Sequence, residues 1–188
     1  MKKLLAICAV LCLFSCSQKT YKEPHILITT GFGDIEAELY PEKAPKTVAA
    51  FLSYIDSGLF RNSSFYRVVS NYNNTGLIQG GIWQTNNSKA SVMPGIEHES
   101  PKQTGLSHTS GTISLARTNG GTGNTEFFIC IGDQQQFDSS RRINADGLGF
   151  AAFGKIVKGM DIVKKIQQQP SEGESFVEKI EINDIKKL

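Results

Sequence analysis

The sequence predicts a mainly β protein in which short strands form a closed antiparallel barrel or a sandwich with helical caps. Eight short apolar segments are typical of strands, and Gly, Asn and Ser separate most of them. Only two segments space their apolar residues as an amphipathic helix does. Of the 188 residues, 39% are hydrophobic and 20% are charged, which is the range of one ordinary soluble domain.

The chain begins with a segment that is typical of an export signal. Lys2 and Lys3 precede the apolar run 4–14, which ends at Ser15. A membrane-spanning helix needs ~20 apolar residues, and this run is roughly half that length. We therefore interpret the segment as a signal and not as a transmembrane helix.

The four residues that end with Cys16 resemble a lipobox, the tetrapeptide at which bacterial lipoproteins are cleaved and lipidated. We predict a signal peptide over 1–16, lipidation of Cys16, a linker over 17–24 and a single domain over 25–188. This interpretation anchors the domain to a membrane through lipid, in the bacterial envelope and facing the periplasm. The alternatives are a soluble secreted protein and an uncleaved anchor.

A hairpin is predicted at the start of the domain. Residues 26–30 are typical of a strand, and Gly31-Phe32-Gly33 follows it as a turn. In the next segment Ile35, Ala37 and Leu39 alternate with acidic residues, which places the apolar side chains on one face of a strand.

Two helices are predicted from apolar spacings of three and four residues. The first begins at Pro45 and ends before Gly58, and the second covers 160–168 and ends before Pro170. The apolar faces are formed by Val48, Phe51, Leu52 and Ile55 in the first helix and by Ile162, Val163 and Ile166 in the second. The remaining strands are predicted over 65–69, 76–79, 111–116, 127–131, 150–157 and 176–182.

Charge and composition exclude several classes of function. Lys2 and Lys3 account for the whole excess of basic residues, so the chain without its leader is formally neutral. Its lysines are dispersed and form no basic stripe, which argues against nucleic-acid binding. The glycine-rich stretch 119–124 lacks the Gly-Lys-Ser/Thr ending of a phosphate-binding loop, so we interpret it as a surface loop.

The cysteines and histidines indicate neither a disulfide nor a metal site. Three of the four cysteines lie in the leader, so no disulfide can form within the domain, and Cys130 is expected to be a buried apolar residue. His98 has acidic neighbours, but His25 and His108 show no ligand spacing with it. We expect no metal and no cofactor.

A succession of short motifs resembles the cyclophilin family over about residues 25 to 187. These motifs are Phe65-Tyr66-Arg67-Val68-Val69, Ile78-Gln79-Gly80-Gly81, Gly111-Thr112-Ile113-Ser114-Leu115-Ala116, Phe127-Phe128-Ile129 and the segment 153–160. Each motif alone is weak, but their order and spacing are specific. The resemblance implies a closed eight-stranded antiparallel barrel capped by two α-helices, with a substrate groove on its outer surface. It also implies a monomer whose partners are proline-containing polypeptides.

The same resemblance implies peptidyl-prolyl cis-trans isomerase activity and assigns the site residues. Arg67 corresponds to the main catalytic residue, Gln79 to a partner of the substrate backbone and Phe128 to the floor of the proline pocket. Further substrate contacts are expected from Phe65, Leu77, Ala116, Arg117, Glu126, Phe137 and Phe150. Because adjacent strand residues face opposite sides, we assign Phe128 to the groove and Phe127 to the interior.

The chemistry of prolyl isomerisation suits an arginine beside an apolar slot. Amide resonance sets a rotation barrier of ~18 to 20 kcal/mol. When the bond twists, the nitrogen becomes pyramidal and recovers its lone pair, and a cationic donor such as Arg67 binds that state more strongly than the planar one. A planar guanidinium offers several donors at once, which a lysine does not reproduce.

Two departures from the family pattern leave an alternative open. The polar insertion 71–75 lengthens the segment after Arg67, and Glu126 occupies a position where the family commonly has a glutamine. An ionised carboxylate cannot donate a hydrogen bond, so Glu126 is expected either to contact substrate as an acceptor or to pair with Arg67 and restrain it. The alternative function is a weakly active or inactive module that binds proline-containing segments, or a chaperone of the holdase type.

Overall fold

The computed structural model describes residues 21–118, 121–140 and 145–188. The other residues include Cys16, the first half of the predicted linker and the first two residues of the glycine-rich stretch 119–124. The predictions for Cys16 and for the signal peptide therefore lie outside the described residues. No helix among the residues described is long and apolar enough to cross a membrane.

Nine strands and four α-helices make up the regular structure of the described residues. The strands are β1 His25–Thr30, β2 Gly33–Leu39, β3 Ser63–Asn71, β4 Thr75–Gly81, β5 Thr112–Leu115, β6 Phe127–Ile131, β7 Ala151–Lys158, β8 Ser171–Glu172 and β9 Ser175–Lys187. The helices are α1 Pro45–Asp56, α2 Asn87–Val92, α3 Pro101–Thr104 and α4 Met160–Gln167. Two 3-10 turns cover Tyr72–Asn74 and Gln135–Phe137.

Eight of the strands form a closed antiparallel barrel. Their order is β1-β2-β7-β5-β6-β4-β3-β9, and pairing of β9 with β1 closes the sheet. The two-residue strand β8 pairs only with β9, as the other arm of a short hairpin. The predicted eight-stranded barrel is therefore confirmed.

Phenylalanine side chains fill the barrel interior. Phe51 of α1 lies 4.9 Å, between ring centroids, from both Phe60 and Phe153, and 5.5 Å from Phe127. All four are at most 1% exposed. Burying each such ring stabilises the fold by roughly 1.5–3 kcal/mol, so this cluster is a principal source of barrel stability.

Both predicted helices pack their apolar faces on the barrel. In α1 the side chains of Val48, Phe51 and Ile55 are buried, and Leu52 is half-buried against the core. In α4 the side chains of Val163 and Ile166 are buried. The 3.6-residue spacing thus identified both helices correctly.

Helix α1 receives its N-terminal cap from a distant acidic residue. Ala44 occupies the N-cap position and has no side chain that can accept a hydrogen bond. Instead, Glu99 accepts hydrogen bonds from the backbone N–H groups of Lys46 and Thr47, at 3.1 and 2.8 Å, and from the Thr47 hydroxyl at 2.7 Å. A carboxylate there satisfies free N–H groups and complements the helix dipole.

Three features of the fold were not predicted from the sequence. Helices α2 and α3 are only six and four residues long, too short for an apolar periodicity to appear. Strand β9 continues past residue 182 to Lys187, where it pairs with β1. The insertion 71–75 forms a tight connection from β3 to β4, with Tyr72 at its tip 97% exposed.

Candidate active site

An apolar cavity of about 580 Å³ opens on the outer surface of the barrel. Its base is a small buried cluster, separate from the interior core, that consists of Leu77, Phe128 and Cys130. The residues that line it are Arg67, Val69, Asn71, Gly76, Leu77, Gln79, Ala116, Arg117, Phe128, Gln134, Gln136, Phe137, Phe150 and Glu174. Eight of the predicted site residues therefore line one cavity. They are Arg67, Leu77, Gln79, Ala116, Arg117, Phe128, Phe137 and Phe150.

A β-bulge in β3 turns Arg67 toward this cavity. Phe65 lies opposite Gly80 of β4, whereas Arg67 lies opposite Gln79, so two steps along β3 match one step along β4. Such a bulge reverses the usual alternation of faces. Phe65 therefore points into the barrel, where it is fully buried 5.8 Å from Phe127, and the expected substrate contact of Phe65 is wrong.

The Arg67 guanidinium is held by two partners at the rim of the cavity. Its Nη1 donates to Gln79 Oε1 at 2.8 Å. Its Nε and Nη2 donate to one carboxylate oxygen of Glu174, at 2.9 and 2.6 Å. These bonds use three of the five N–H groups of a guanidinium, so one N–H on each terminal nitrogen has no partner among the described residues.

Three aromatic rings form the apolar wall opposite these donors. Phe128 is 2% exposed and lies 5.4 Å from Phe137 and 5.3 Å from Phe150, in edge-to-face contacts. Phe137 and Phe150 are also 5.4 Å apart. Phe127, the neighbour of Phe128 in β6, is fully buried in the interior core, as the alternation of strand residues predicts.

A buried histidine supports the wall from behind. His108 stacks on Phe128 at 5.9 Å and is fully buried. Its Nδ1 lies 2.7 Å from Asp138 Oδ1, and its Nε2 lies 3.0 Å from Ser114 Oγ. Burial lowers the pKa of His108 against the opposing effect of Asp138. Since Ser114 is also fully buried, this Ser-His-Asp arrangement supports the pocket and is closed to substrate.

The structure places Glu126 behind the cavity wall and not on it. Its Oε2 accepts a hydrogen bond from the Tyr66 hydroxyl at 2.8 Å, and its Oε1 accepts from the backbone N–H groups of Ile82 and Trp83. Burial raises the pKa of Glu126. The expected pairing of Glu126 with Arg67 is wrong, because the acidic partner of Arg67 is Glu174. We also reassign Glu126 from substrate contact to the layer behind Gln79.

The side chain of Arg117 has a structural task at the cavity. It is 2% exposed and forms an ion pair through both terminal nitrogens with Asp146, at 2.6 and 2.8 Å. Further bonds go to the backbone oxygens of Gly149 and Gly121, and the guanidinium lies over the Phe150 ring at 5.8 Å. The guanidinium thus fixes Phe150 and the adjoining loop.

Three residues of the site were missed by sequence reasoning. Glu174 is 107 positions from Arg67 along the chain, and no spacing rule connects the two. Tyr66 joins Gln79 to Glu126, and it is the extra residue of the bulge, which no local pattern predicts. His108 was considered only as a metal ligand. Among the described residues no group of His, Cys, Asp or Glu side chains could hold a metal ion.

Cys130 lies beneath the cavity as a buried apolar residue, as predicted. It is fully buried, and burial raises the pKa of its thiol. A protonated thiol is a poor nucleophile.

Taken together, the residues around the cavity combine an apolar slot with a fixed cationic donor. This combination suits the binding of a polar bond beside an apolar ring.

Comparisons with known proteins identify the family of this chain. The family model for cyclophilin type peptidyl-prolyl cis-trans isomerases matches residues 25–187. Peptidyl-prolyl cis-trans isomerase A of Dickeya dadantii is 34% identical over 172 residues, which are 90% of this chain and 85% of the relative. A peptidyl-prolyl cis-trans isomerase of Acinetobacter baylyi is 37% identical over 143 residues, which are 76% of this chain and 71% of the relative.

Solved structures share the fold. A crystal structure of a Cryptosporidium parvum cyclophilin type peptidyl-prolyl cis-trans isomerase has a TM-score of 0.70 at 21% identity, covering 88% of this chain and 98% of its own. A structure of the same enzyme in the presence of the dipeptide Ala-Pro has a TM-score of 0.68 at 22% identity, covering 86% and 97%. At these identities the likeness shows the fold alone.

Proposed function

The chain belongs to the cyclophilin-type peptidyl-prolyl cis-trans isomerases, and we propose that it accelerates rotation about X-Pro bonds in the cavity between Arg67 and Phe128. The observation that carries this proposal is that the guanidinium of Arg67 and the ring of Phe128 line one cavity. An X-Pro bond needs an apolar surface for its pyrrolidine ring and a hydrogen-bond donor for its imide. The Ala-Pro dipeptide used with the Cryptosporidium enzyme has the same chemistry.

Differential binding is the source of the rate enhancement. The planar imide nitrogen has its lone pair delocalised, and the twisted nitrogen recovers a basic lone pair. The unpartnered N–H groups of Arg67 then donate to it and stabilise the twisted state more than the planar one. No proton is transferred and no covalent bond forms, so neither a nucleophile nor a cofactor is required.

The aromatic wall and Gln79 hold the two ends of the rotating bond. The rings of Phe128, Phe137 and Phe150 enclose an apolar ring by burial of its surface, at about 25 cal/mol per Å². Gln79 has an amide that can bond the substrate backbone, while its Oε1 accepts from Arg67. One half of the amide is thereby fixed while the other half turns.

We also propose that the domain works on envelope proteins and is anchored by lipid on Cys16. The support is the leader: basic residues, a short apolar run and a lipobox-like ending at Cys16. Mass spectrometry of the chain isolated from bacterial membranes should show an acylated N-terminal Cys16. An intact 1–16 segment, or a soluble chain without acyl groups, would reject the anchor.

An assay on a short X-Pro peptide tests the isomerase activity. A protease that cleaves only the trans form converts isomerisation into a measurable slow phase, which takes tens to hundreds of seconds when uncatalysed. The chain should shorten this phase in proportion to its concentration. A phase that stays at the uncatalysed rate at every concentration rejects the proposal.

One observation favours a second candidate, a weakly active module that binds proline-containing segments. Glu174 neutralises Arg67 and occupies two of its N–H groups. In this case the same peptide would bind, as measured by fluorescence or calorimetry, while its isomerisation remained uncatalysed. Catalysis together with binding excludes this candidate.

A further inference from the structure

We propose that Tyr66 and Glu126 are a half-buried positioning pair, which sets the direction of the Gln79 side-chain amide and through it the position of Arg67. The inference rests on the proposed isomerase function only for its effect on rate. Neither residue is part of the cavity lining. Their action on the reaction is therefore indirect.

The four side chains form one continuous chain of hydrogen bonds. Arg67 Nη1 lies 2.8 Å from Gln79 Oε1, Gln79 Nε2 lies 3.0 Å from the Tyr66 hydroxyl, and that hydroxyl lies 2.8 Å from Glu126 Oε2. The chain thus runs from the cavity rim to the layer behind it. A change at Glu126 has a direct route to the catalytic guanidinium.

Glu126 is held as a pure acceptor at the far end of this chain. Its Oε1 accepts from the backbone N–H groups of Ile82 and Trp83, at 2.9 and 3.0 Å, and from the Thr125 hydroxyl at 3.0 Å. Its Oε2 receives the Tyr66 hydroxyl. Donors converge on both oxygens, and these hydrogen bonds favour the ionised carboxylate against the burial that raises its pKa.

This arrangement fixes the direction of every bond in the chain. Because Glu126 only accepts, Tyr66 must use its single proton toward Glu126, and its oxygen is left as an acceptor. Gln79 must then present its NH₂ group to Tyr66, which leaves its carbonyl oxygen facing Arg67. The carboxylate thus determines that an acceptor, and not a donor, faces the guanidinium.

The backbone at Gly81 makes room for the carboxylate. Gly81 has a φ of +146°, and a Cβ built there would lie 2.6 Å from both carboxylate oxygens of Glu126. A side chain at this position would collide with the Glu126 carboxylate and force it to move. Gly81 therefore helps to determine the position of the Glu126 carboxylate.

Replacing the acid with its isosteric amide is expected to reverse the chain. In Glu126→Gln the carbonyl oxygen remains on the N–H groups of Ile82 and Trp83, so the new NH₂ group faces Tyr66 and donates to it. The Tyr66 proton then turns toward Gln79, whose amide must flip and present its NH₂ group to Arg67. The Gln79 NH₂ group and the Arg67 guanidinium are both hydrogen-bond donors. Because they then face each other, we expect the Arg67 side chain to be displaced.

The test combines kinetics with NMR of the ¹⁵N-labelled chain. For Glu126→Gln we expect shifted resonances of the Gln79 side-chain amide and of the Arg67 Nε–H group, and a loss in kcat of about tenfold, the scale of one lost hydrogen bond. KM should change little, because the cavity wall is intact. Tyr66→Phe cuts the chain, so in its background Glu126→Gln should have no further effect on kcat.

Glu99→Gln is the matched control, since Glu99 also accepts two backbone N–H groups and a threonine hydroxyl, at the start of α1. It should leave both resonances and kcat unchanged. Unchanged Gln79 and Arg67 resonances in Glu126→Gln, or fully additive losses in the double variant, would overturn the proposal. If the parent chain has no isomerase activity, the proposed function fails while the NMR result still decides the pairing. Should Glu126→Gln not fold, the Arg67 resonance in Tyr66→Phe decides instead, and an unshifted signal counts against it.

Discussion

Arg67 and Gln79 are register partners across the β3–β4 pair and also share a side-chain hydrogen bond of 2.8 Å from Nη1 to Oε1. Directly opposed strand residues lie close enough for their side chains to interact. The barrel backbone therefore sets the distance between the catalytic candidate and its neighbour. The site is built into a strand pair, next to the bulge in β3.

Shortening Gln79 should lower kcat/KM. In Gln79→Ala the guanidinium loses one of its two partners, and the substrate backbone loses an amide. We expect kcat/KM on an X-Pro peptide to fall by about tenfold, which corresponds to roughly 1.4 kcal/mol. Gln169→Ala, at an exposed bond far from the cavity, should keep the parent value. Equal values for both variants would refute the role of Gln79.

Removing the charge of Glu174 should have a smaller effect. Its side chain is 59% exposed, and exposed ion pairs contribute roughly 0.2–1 kcal/mol. In Glu174→Gln the Arg67 side chain gains freedom, so we expect kcat/KM to fall by a factor of about 1.5 to 5. The parent enzyme should lose a similar factor at high salt, and the variant should not. An increase in kcat/KM would instead identify Glu174 as an inhibitor of Arg67.

The remote cap on α1 predicts a change in stability without a change in activity. Glu99→Ala leaves the N–H groups of Lys46 and Thr47 without their carboxylate. Loss of a helix cap costs about 1 kcal/mol, which lowers Tm by roughly 2–4 °C in a chain of this size. Thermal unfolding followed by circular dichroism measures the shift. The same Tm as the parent protein would show that the cap contributes nothing.

Buried His108 predicts that stability falls in acid. Burial lowers its pKa in the folded state, so the unfolded chain binds more protons than the folded one below about pH 6.5. Unfolding free energy should therefore decrease from about pH 7.5 to about pH 5.5, by at most ~1.4 kcal/mol per pH unit for one histidine. Burial also lowers the pKa of His98, which adds to the slope. Urea titrations should give a shallower pH dependence in His108→Gln. An unchanged slope in that variant contradicts the assignment to His108.

Much of the barrel was predictable because its signals are local. The 3.6-residue spacing of Val48, Phe51 and Ile55 identified α1, and the alternation along β6 separated Phe127 from Phe128. Arg67, Gln79 and Phe128 were identified by family resemblance, and the structure brings them to one cavity.

The remaining features of the fold and the site depend on a strand irregularity and on long-range contacts that no local sequence pattern predicts. A single bulge between Phe65 and Arg67 interrupts the alternation of faces, so Phe65 lies inside the barrel while Arg67 faces the cavity. Glu174 lies in the β8–β9 turn and contacts Arg67 on the neighbouring strand β3, and Glu99 caps a helix 52 residues before it. Such pairings join segments that are far apart in the sequence and have no spacing signature.

The claim that Arg67 stabilises the twisted imide is tested most directly by Arg67→Lys, measured beside Arg67→Ala in the protease-coupled assay. The charge is retained in Arg67→Lys but the planar set of donors is lost. We predict that kcat/KM falls at least about tenfold in Arg67→Lys and roughly a hundredfold in Arg67→Ala, with little change in KM. Parent-like kcat/KM in both variants, with circular dichroism spectra that match the parent, would contradict the account.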